Sequence, residues 1–197
     1  AEAVSAIAET AAGYCNLEID LDSGRRGDRH VHVRDVLREL TGAEDAFVVN
    51  NNAAATYLAL HALAAGREVI ISRGQLVEIG GSYRLPEIMA AAGCRMVEVG
   101  TTNRTRITDY ERAINAQTAI LLRVHTSNYR IVGFTEEAAL ADLVALARRH
   151  NLIVVDDLGS GLMHRAVPVE GDLTGEPTVR ESLAGGADLA LFSGDKL

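Results

Sequence analysis

The sequence contains no tryptophan, and only 4% of its 197 residues are aromatic. Its core must therefore be built from alanine, valine, leucine and isoleucine. Because 48% of all residues are hydrophobic, the chain suits a globular protein with one large domain. No apolar run approaches the roughly 20 residues that a membrane-spanning helix needs, and residues 1–13 lack the basic start of a signal peptide. We therefore expect a cytoplasmic protein that has no membrane partner.

Cysteine and basic residues are scarce as well. Cys15 and Cys94 are far apart and form no CxxC motif, so we expect two reduced thiols rather than a disulfide or a zinc site. Nineteen Lys and Arg residues against 27 Asp and Glu residues give a net charge of −8, which makes the chain a poor non-specific binder of nucleic acid. Residues 23–34 are locally basic, and they either contact RNA or a neighbouring subunit or form a solvated loop.

The spacing of apolar residues divides the chain into a helical segment, residues 1–41, and an α/β core, residues 42–197. The first segment opens in a helix-like pattern, and apolar residues recur at helical spacing between 33 and 40. In the core, strands are predicted at 46–49, 68–72, 95–99, 119–124, 152–156 and 187–192. Helices are predicted at 53–65, 86–92 and 136–150, the last with Thr135 as its N-cap. This alternation predicts a mostly parallel sheet with helices on both faces.

Both ends of the chain suggest a piece of a longer protein. The sequence begins without Met inside a helix-like pattern and stops one residue after Lys196. We therefore expect the α/β domain to be incomplete.

Ligands of parallel sheets bind beyond the carboxyl ends of the strands, so the residues after each predicted strand form the candidate site. Asn51 and Asn52 lead into a helix that begins at Ala53, and a helix N-terminus with such caps suits a phosphate. A plain helix cap is the alternative. Asp156 follows another strand, and Lys196, which would otherwise be a surface lysine, follows the last one.

One cofactor accounts for a lysine, an acid and a helix N-terminus at the same sheet edge. Pyridoxal phosphate (PLP) needs a lysine for a Schiff base, an acid that keeps the pyridine nitrogen protonated, and a phosphate site. No metal site is predicted, because no ligand-spaced His, Asp or Glu group accompanies Asp156. A dinucleotide is disfavoured because GxGxxG does not follow the first strand.

Polar residues after the other strands extend the candidate site. His125 is either a satisfied loop residue or a neighbour of the ligand, and Asn128 is a candidate donor to a ring hydroxyl. Four arginines on glycine- and threonine-rich stretches present forked donors that suit an oxyanion. They are Arg73, Arg84, Arg104 and Arg106.

Six motifs occur in the same order as in one known enzyme family. They are VNNNAAA (49–55), SRGQLVEIGG (72–81), GTTNRT (100–105), HTSNY (125–129), DDLGSG (156–161) and FSGDKL (192–197). From about Asn16 onward, the chain resembles the bacterial selenocysteine synthases, or L-seryl-tRNA(Sec) selenium transferases. Relatives of the same fold generally share only the Asp and Lys landmarks, so the six motifs together are specific.

The resemblance implies a fold and a reaction. The fold is the large domain of the PLP-dependent transferases, the aspartate aminotransferase-like fold type I. The reaction converts L-seryl-tRNA(Sec) to L-selenocysteinyl-tRNA(Sec) with selenophosphate, by way of a PLP-bound aminoacrylate. The family forms homo-oligomers, described as decamers, and its tRNA-binding N-terminal domain precedes this region.

The resemblance also implies roles for individual residues. Lys196 matches the PLP lysine, and Asp156 matches the acid that pairs with the pyridine nitrogen, so both are predicted to be catalytic. The other residues predicted to bind the cofactor are Asn51, Asn52, Ala53, His125, Asn128 and Ser193. The four arginines are predicted to bind selenophosphate or the acceptor end of the tRNA.

Two alternative interpretations stay open at this point. The chain is compatible with another fold-type-I PLP lyase that acts on a small amino acid, and binding of tRNA(Sec) by the full-length protein separates the two. It is also compatible with a non-catalytic fragment that folds without cofactor. A yellow protein that borohydride traps would exclude that second alternative.

Overall fold

The computed structural model describes residues 2–163 and 175–196. Its helices are α1 (Glu2–Ala11), α2 (Val31–Thr41), α3 (Asn52–Ala64), α4 (Leu85–Ala91), α5 (Ile107–Ala113), α6 (Leu140–His150) and α7 (Val179–Ala184). Its strands are β1 (Glu68–Ser72), β2 (Glu78–Ile79), β3 (Tyr83–Arg84), β4 (Arg95–Val99), β5 (Thr118–Val124), β6 (Ile153–Gly159) and β7 (Leu189–Phe192). None of the described helices has the length and apolar composition to cross a bilayer.

Five strands form one parallel sheet in the order β4-β1-β5-β6-β7. The central strand β5 reads TAILLRV and is almost completely buried, as expected of a strand covered on both sides. The chain runs from β1 to β4 on one side and then returns to β5 on the other, so the strand order reverses between β1 and β5. Ligands of open α/β sheets bind outside the carboxyl ends of the strands at such a reversal.

Helices cover both faces of the sheet, as the sequence predicts. On one face, α3 and α4 pack over the strands in a cluster that includes Leu60, Ile71 and Val155. On the other, α5 and α6 pack in a cluster that includes Tyr110 and Leu121. We call these the α3 face and the α6 face. Because alternate residues of a strand project to opposite sides, each central strand contributes to both clusters.

Local capping explains where three helices begin or end. Helix α3 begins at Asn52 because Asn51 Oδ1 accepts a hydrogen bond of 2.8 Å from the backbone N–H of Ala54. Helix α2 ends at Gly42, which adopts a left-handed φ of 77° that glycine tolerates without strain. Helix α6 ends at Asn151, also in a left-handed conformation.

One predicted strand and the start of one predicted helix are wrong. Residues 46–49 belong to no described strand. Phe47 instead stacks on the ring of His30 at a centroid distance of 3.8 Å. The helix predicted from residue 136 begins only at Leu140, and Thr135 is not its cap. The reason is that Glu136 pairs with Arg104 in a parallel bridge, which keeps this segment extended. Helices α5 and α7 and the β2–β3 hairpin were not predicted.

Candidate active site

Two consecutive carboxylates, Asp156 and Asp157, lie inside strand β6 and not after it, because the strand continues to Gly159. Consecutive residues of a strand project to opposite faces of the sheet. The two carboxylates therefore lie on different faces, although they are neighbours in the sequence. Both are buried, with 0% and 3% of their surface exposed.

Asp156 projects to the α6 face, where it already has a cationic partner. Arg123 Nη1 on β5 donates to both carboxylate oxygens at 3.0 and 3.1 Å. Ser182 Oγ on α7 donates to Asp156 Oδ2 at 2.6 Å. The predicted acid thus lies on the face opposite α3, and its charge is neutralised by the protein itself.

Asp157 projects to the α3 face and binds the first turns of α3. Asn52 Nδ2 donates to Asp157 Oδ1 at 2.8 Å, and Thr56 Oγ1 donates to Asp157 Oδ2 at 3.1 Å. The backbone N–H of Gly159 donates to Oδ1 at 3.1 Å. All of these donors are neutral, and nothing within residues 2–163 and 175–196 forms an ion pair with this carboxylate.

Burial raises the pKa of the Asp157 carboxyl above its ordinary value, because surroundings of low dielectric disfavour the charged form. Hydrogen bonds from Asn52, Thr56 and Gly159 lower the pKa, and the negative charge of Asp156 raises it further. A ligand that brought a positively charged N–H group to Asp157 would therefore stabilise its carboxylate.

A second cluster, made of His125, Ser160 and Glu176, lies at the carboxyl ends of β5 and β6. His125 Nε2 lies 3.1 Å from Glu176 Oε2, and Ser160 Oγ donates to Glu176 Oε1. Only 16% of the Glu176 side chain is exposed. The backbone N–H of His125 also donates to the carbonyl of Asp157 at 2.8 Å. These contacts fix the imidazole at the sheet edge.

Other predicted cofactor ligands lie along the same edge. Asn51 caps α3, and Ala53 belongs to its first turn. Ser193 follows β7, and its N–H donates to the carbonyl of Gly159 at 2.9 Å. Lys196 is exposed in the short segment after β7.

Asn128 has a different contact from the one predicted. Its Nδ2 donates to the carbonyl of Glu78 at 3.0 Å, and it thereby fastens the β2–β3 hairpin. This contact does not test the prediction that Asn128 binds a ring hydroxyl, because it uses one of the two amide protons.

The four predicted anion-binding arginines are all exposed, and three of them bind carboxylates. The pairs are Arg73 with Glu98 at 3.0 Å, Arg84 with Glu78 at 2.6 Å and Arg106 with Glu136 at 3.0 Å. Arg104 Nε instead donates to the carbonyl of Phe134 at 3.2 Å. Among the residues that the structure describes, no carboxylate lies within ion-pair distance of Arg104, so its charge is the one best able to attract an anion.

Arg104 lines a cavity of about 220 Å³ at the reversal between β1 and β5. Ser72 at the end of β1, Thr126 after β5 and a second arginine, Arg130, also line it. Two guanidinium groups and several hydroxyls are donors that suit an oxyanion. Glu136 and Glu137 also line the cavity, and their negative charges oppose the binding of an anion.

Sequence reasoning missed Asp157 and Glu176. The motif DDLGSG contains Asp157, but the sequence does not show which face of the sheet each aspartate occupies. A strand that is buried on both faces has no alternation of polar and apolar residues to reveal it. Glu176 carries no motif, and nothing in the sequence indicates that it meets His125.

A family model described as L-seryl-tRNA selenium transferase matches residues 1–197, the whole chain. The chain belongs to this family. A Moorella thermoacetica protein named L-seryl-tRNA(Sec) selenium transferase is 60% identical over an aligned length of 197 positions, and the alignment covers 99% of this chain and 41% of that protein. A Solidesulfovibrio magneticus protein of the same name is 58% identical over 196 residues, which are 100% of this chain and 41% of that protein. The chain thus spans about two fifths of the length of these members of the L-seryl-tRNA selenium transferase family.

Two solved structures share the fold of this L-seryl-tRNA selenium transferase family member. D-glucosaminate-6-phosphate ammonia-lyase matches with a TM-score of 0.74 at 24% identity, over 99% of this chain and 49% of that one. An aminotransferase from Psychrobacter cryohalolentis matches with a TM-score of 0.52 at 18% identity, over 80% of this chain and 36% of that one. These likenesses confirm the predicted α/β fold, a mostly parallel sheet with helices on both faces.

Proposed function

We propose that this chain is the cofactor-binding core of an enzyme that converts seryl-tRNA(Sec) to selenocysteinyl-tRNA(Sec), with PLP as cofactor and selenophosphate as selenium donor. The observation that carries the proposal is the 60% identity to a transferase of that name across the whole described core. The site geometry supports it, because the groups that PLP requires occur together at the carboxyl edge of one parallel sheet.

The residues fit PLP on a physical observation as well as by resemblance. Asp157 is a buried carboxylate whose pKa is raised by burial and whose described donors are all neutral. A pyridinium N–H provides the positive charge and the donor that this carboxylate lacks. We therefore propose that Asp157, and not Asp156, is the acid that holds the proton on the ring nitrogen.

The other residues have distinct roles in the proposal. When bound, PLP supplies an electron-accepting ring that stabilises negative charge on the substrate Cα. The N-terminus of α3, with Asn51, Asn52 and Ala53, binds the phosphate through backbone N–H groups and the helix dipole. Lys196 supplies the amine that holds the cofactor and later moves the proton at the seryl Cα. His125 borders the same sheet edge in an orientation that Glu176 fixes.

The cavity beside Arg104 is our proposed site for the phosphate group of the selenium donor. Arg104 and Arg130 supply the positive charge, and the hydroxyls of Ser72 and Thr126 supply neutral donors. Arg73, Arg84 and Arg106 keep their predicted role as contacts of substrate or tRNA. Their present pairs lie on the surface, where an ion pair is worth little and exchanges readily for a phosphate.

The full-length protein is proposed to be a cytoplasmic homo-oligomer with the N-terminal segment 1–41 distinct from the core 42–197. Helix α1 buries none of its residues, and Val4 and Ile7 are 70% and 69% exposed. Such apolar surface supports packing against another part of the assembly. Light scattering of the full-length protein measures the oligomeric state.

Borohydride reduction of the full-length protein, followed by peptide mass spectrometry, tests cofactor attachment. Lys196 is the sole lysine among these 197 residues, so any pyridoxyl adduct on a lysine of this stretch reports on Lys196 alone. We expect the adduct in the wild type and its loss in Lys196→Ala. A wild-type protein that remains colourless and unmodified would favour a non-catalytic role.

Transfer of selenium to seryl-tRNA(Sec) in the presence of selenophosphate tests the reaction. We expect the wild type to make selenocysteinyl-tRNA(Sec) and Lys196→Ala to make none. A protein that carries the adduct but binds no tRNA(Sec) would point instead to a lyase that acts on a small amino acid.

A further inference from the structure

The β2–β3 hairpin brings Tyr83 to the buried side of Asp157. Tyr83 lies on β3, opposite Ile79 of β2, and its ring reaches the α3 face next to Thr56. Burial raises the pKa of the Tyr83 phenol above its ordinary value, and the Asp157 charge adds to the increase, whereas the Thr56 hydroxyl lowers it. The phenol therefore shares one electrostatic environment with the proposed ring-nitrogen acid.

Two buried polar atoms beside Asp157 lack hydrogen-bond partners. Asn52 Oδ1 forms no hydrogen bond with any residue in the described part of the chain. Tyr83 Oη has the Thr56 hydroxyl as a polar neighbour but forms no hydrogen bond of normal geometry with it or with any other described residue. Buried polar groups are almost always paired, and an unpaired one lowers stability. A polar ligand bound next to Asp157 would accept a hydrogen bond from the phenol and donate one to the amide oxygen.

The hairpin that carries Tyr83 is held in place rather than loosely attached. Asn128 Nδ2 donates to the carbonyl of Glu78 at 3.0 Å, and Arg84 Nε donates to the Glu78 carboxylate at 2.6 Å. Its turn includes Ser82 with a φ of 103°, a conformation that non-glycine residues rarely adopt. Backbone strain of this kind clusters at ligand sites, where the surrounding structure maintains it.

We propose that Tyr83 is a cofactor-binding residue, whose hydroxyl bonds a polar group of the ligand that lies against Asp157, with Asn52 Oδ1 as the accompanying acceptor. The inference rests on the proposed function, because it assumes that PLP is that ligand. It also explains the Glu78–Arg84 hairpin, within which the motif SRGQLVEIGG ends, since this hairpin delivers a phenol to the cofactor pocket.

The proposal is tested by titrating the cofactor-free, full-length protein with PLP and comparing wild type with Tyr83→Phe. The substitution removes one hydroxyl and keeps the ring, so we expect the Kd for PLP to rise about 10-fold or more. We also expect the melting temperature of the cofactor-free protein to stay equal or to rise, because the lost hydroxyl forms no hydrogen bond of normal geometry there. The matched control is Tyr57→Phe on α3, whose side chain is 41% exposed and stacks on His61, and which should bind PLP like the wild type.

Three outcomes overturn the proposal, and they are distinguishable. An unchanged Kd in Tyr83→Phe, with normal binding by the wild type, removes Tyr83 from the pocket and leaves the proposed function intact. A lower melting temperature of the cofactor-free variant, together with weaker binding, assigns the hydroxyl to folding instead. A wild type that binds no PLP refutes the proposed function, and the inference with it.

Discussion

Asn52 Nδ2 donates a hydrogen bond of 2.8 Å to Asp157 Oδ1, and so joins the first turn of α3 to strand β6. This contact ties the proposed phosphate site to the proposed ring-nitrogen acid, two groups that a single cofactor must bridge. Because the amide is neutral, it orients the carboxylate without neutralising it. Asp157 is therefore kept in position but is poorly stabilised until a cationic group arrives.

The raised pKa of Asp157 predicts a pH dependence of stability in the cofactor-free protein. The folded-state pKa lies above the ordinary 3.8 of an unfolded chain, so the folded state binds this proton more tightly. The stabilisation is complete below the unfolded pKa and is lost as the pH rises through the folded one. Asp157→Asn has no such proton to lose. The melting temperature of the variant minus that of the wild type should therefore increase between about pH 4 and pH 8.

Differential scanning fluorimetry across this range measures that difference. Asp142→Asn, the same substitution at an exposed position on α6, is the control. A difference that stays constant or decreases for Asp157→Asn would contradict the buried position of this carboxylate.

Asp156 and Arg123 are expected to affect folding more than cofactor binding. Asp156→Ala leaves a guanidinium that is only 21% exposed without its partner, which should lower the stability by about 2 kcal/mol or more. The double variant Arg123→Leu/Asp156→Leu removes both charges and should recover much of the loss. Both proteins should retain the absorption of bound PLP, whereas Asp157→Asn should alter it.

Thermal melts and PLP absorption spectra of the full-length variants give the two readouts. If Asp156→Ala kept the stability of the wild type and lost the cofactor, Asp156 would regain the role that the sequence predicts for it.

Glu176 is expected to act through His125. Glu176→Ala removes the acceptor of hydrogen bonds from His125 Nε2 and Ser160 Oγ, so the imidazole loses its fixed orientation. We expect the Kd for PLP to rise about 5- to 10-fold, and Glu176→Gln, which keeps an acceptor oxygen, to restore most of the affinity. Fluorescence titration of cofactor-free protein measures both values.

Glu111→Ala provides the comparison for Glu176, since the Glu111 carboxylate pairs with Arg149 on the surface. Equal PLP affinity in Glu176→Ala and the wild type would mean that His125 needs no support from this carboxylate.

The sheet was predictable because its strands are buried on both faces. The prediction for β1 agrees with the structure to the residue, and the prediction for β5 differs by one residue. Runs of apolar, β-branched residues between helices favour the strands of a parallel sheet that is covered on both faces. The segment 46–49 is also rich in apolar residues, but it forms no strand, and Phe47 stacks on the ring of His30. Composition alone therefore does not distinguish a strand of the sheet from an apolar segment that packs outside it.

The edge of the site was predictable, and the direction of its side chains was not. The sequence indicates that His125 and Lys196 follow strands of the sheet, because parallel strands bring their carboxyl ends together. Asn51 and Asn52 lie at the N-terminus of α3 as predicted, although the strand predicted before them does not form. The sequence does not show whether Asp156 or Asp157 faces α3, because β6 is apolar on both faces before these residues and has no polar alternation. Tyr83 lies on a strand of two residues, too short for a periodic signal.

The adjacent aspartates also constrain how β6 aligns with β5. In the native alignment Arg123 stands opposite Asp156 and Val124 opposite Asp157. A slip of one position would turn every side chain of β6 to the other surface, leaving the guanidinium facing apolar groups and sending the wrong acid toward α3. The buried ion pair between Arg123 and Asp156 therefore disfavours this misalignment of β6.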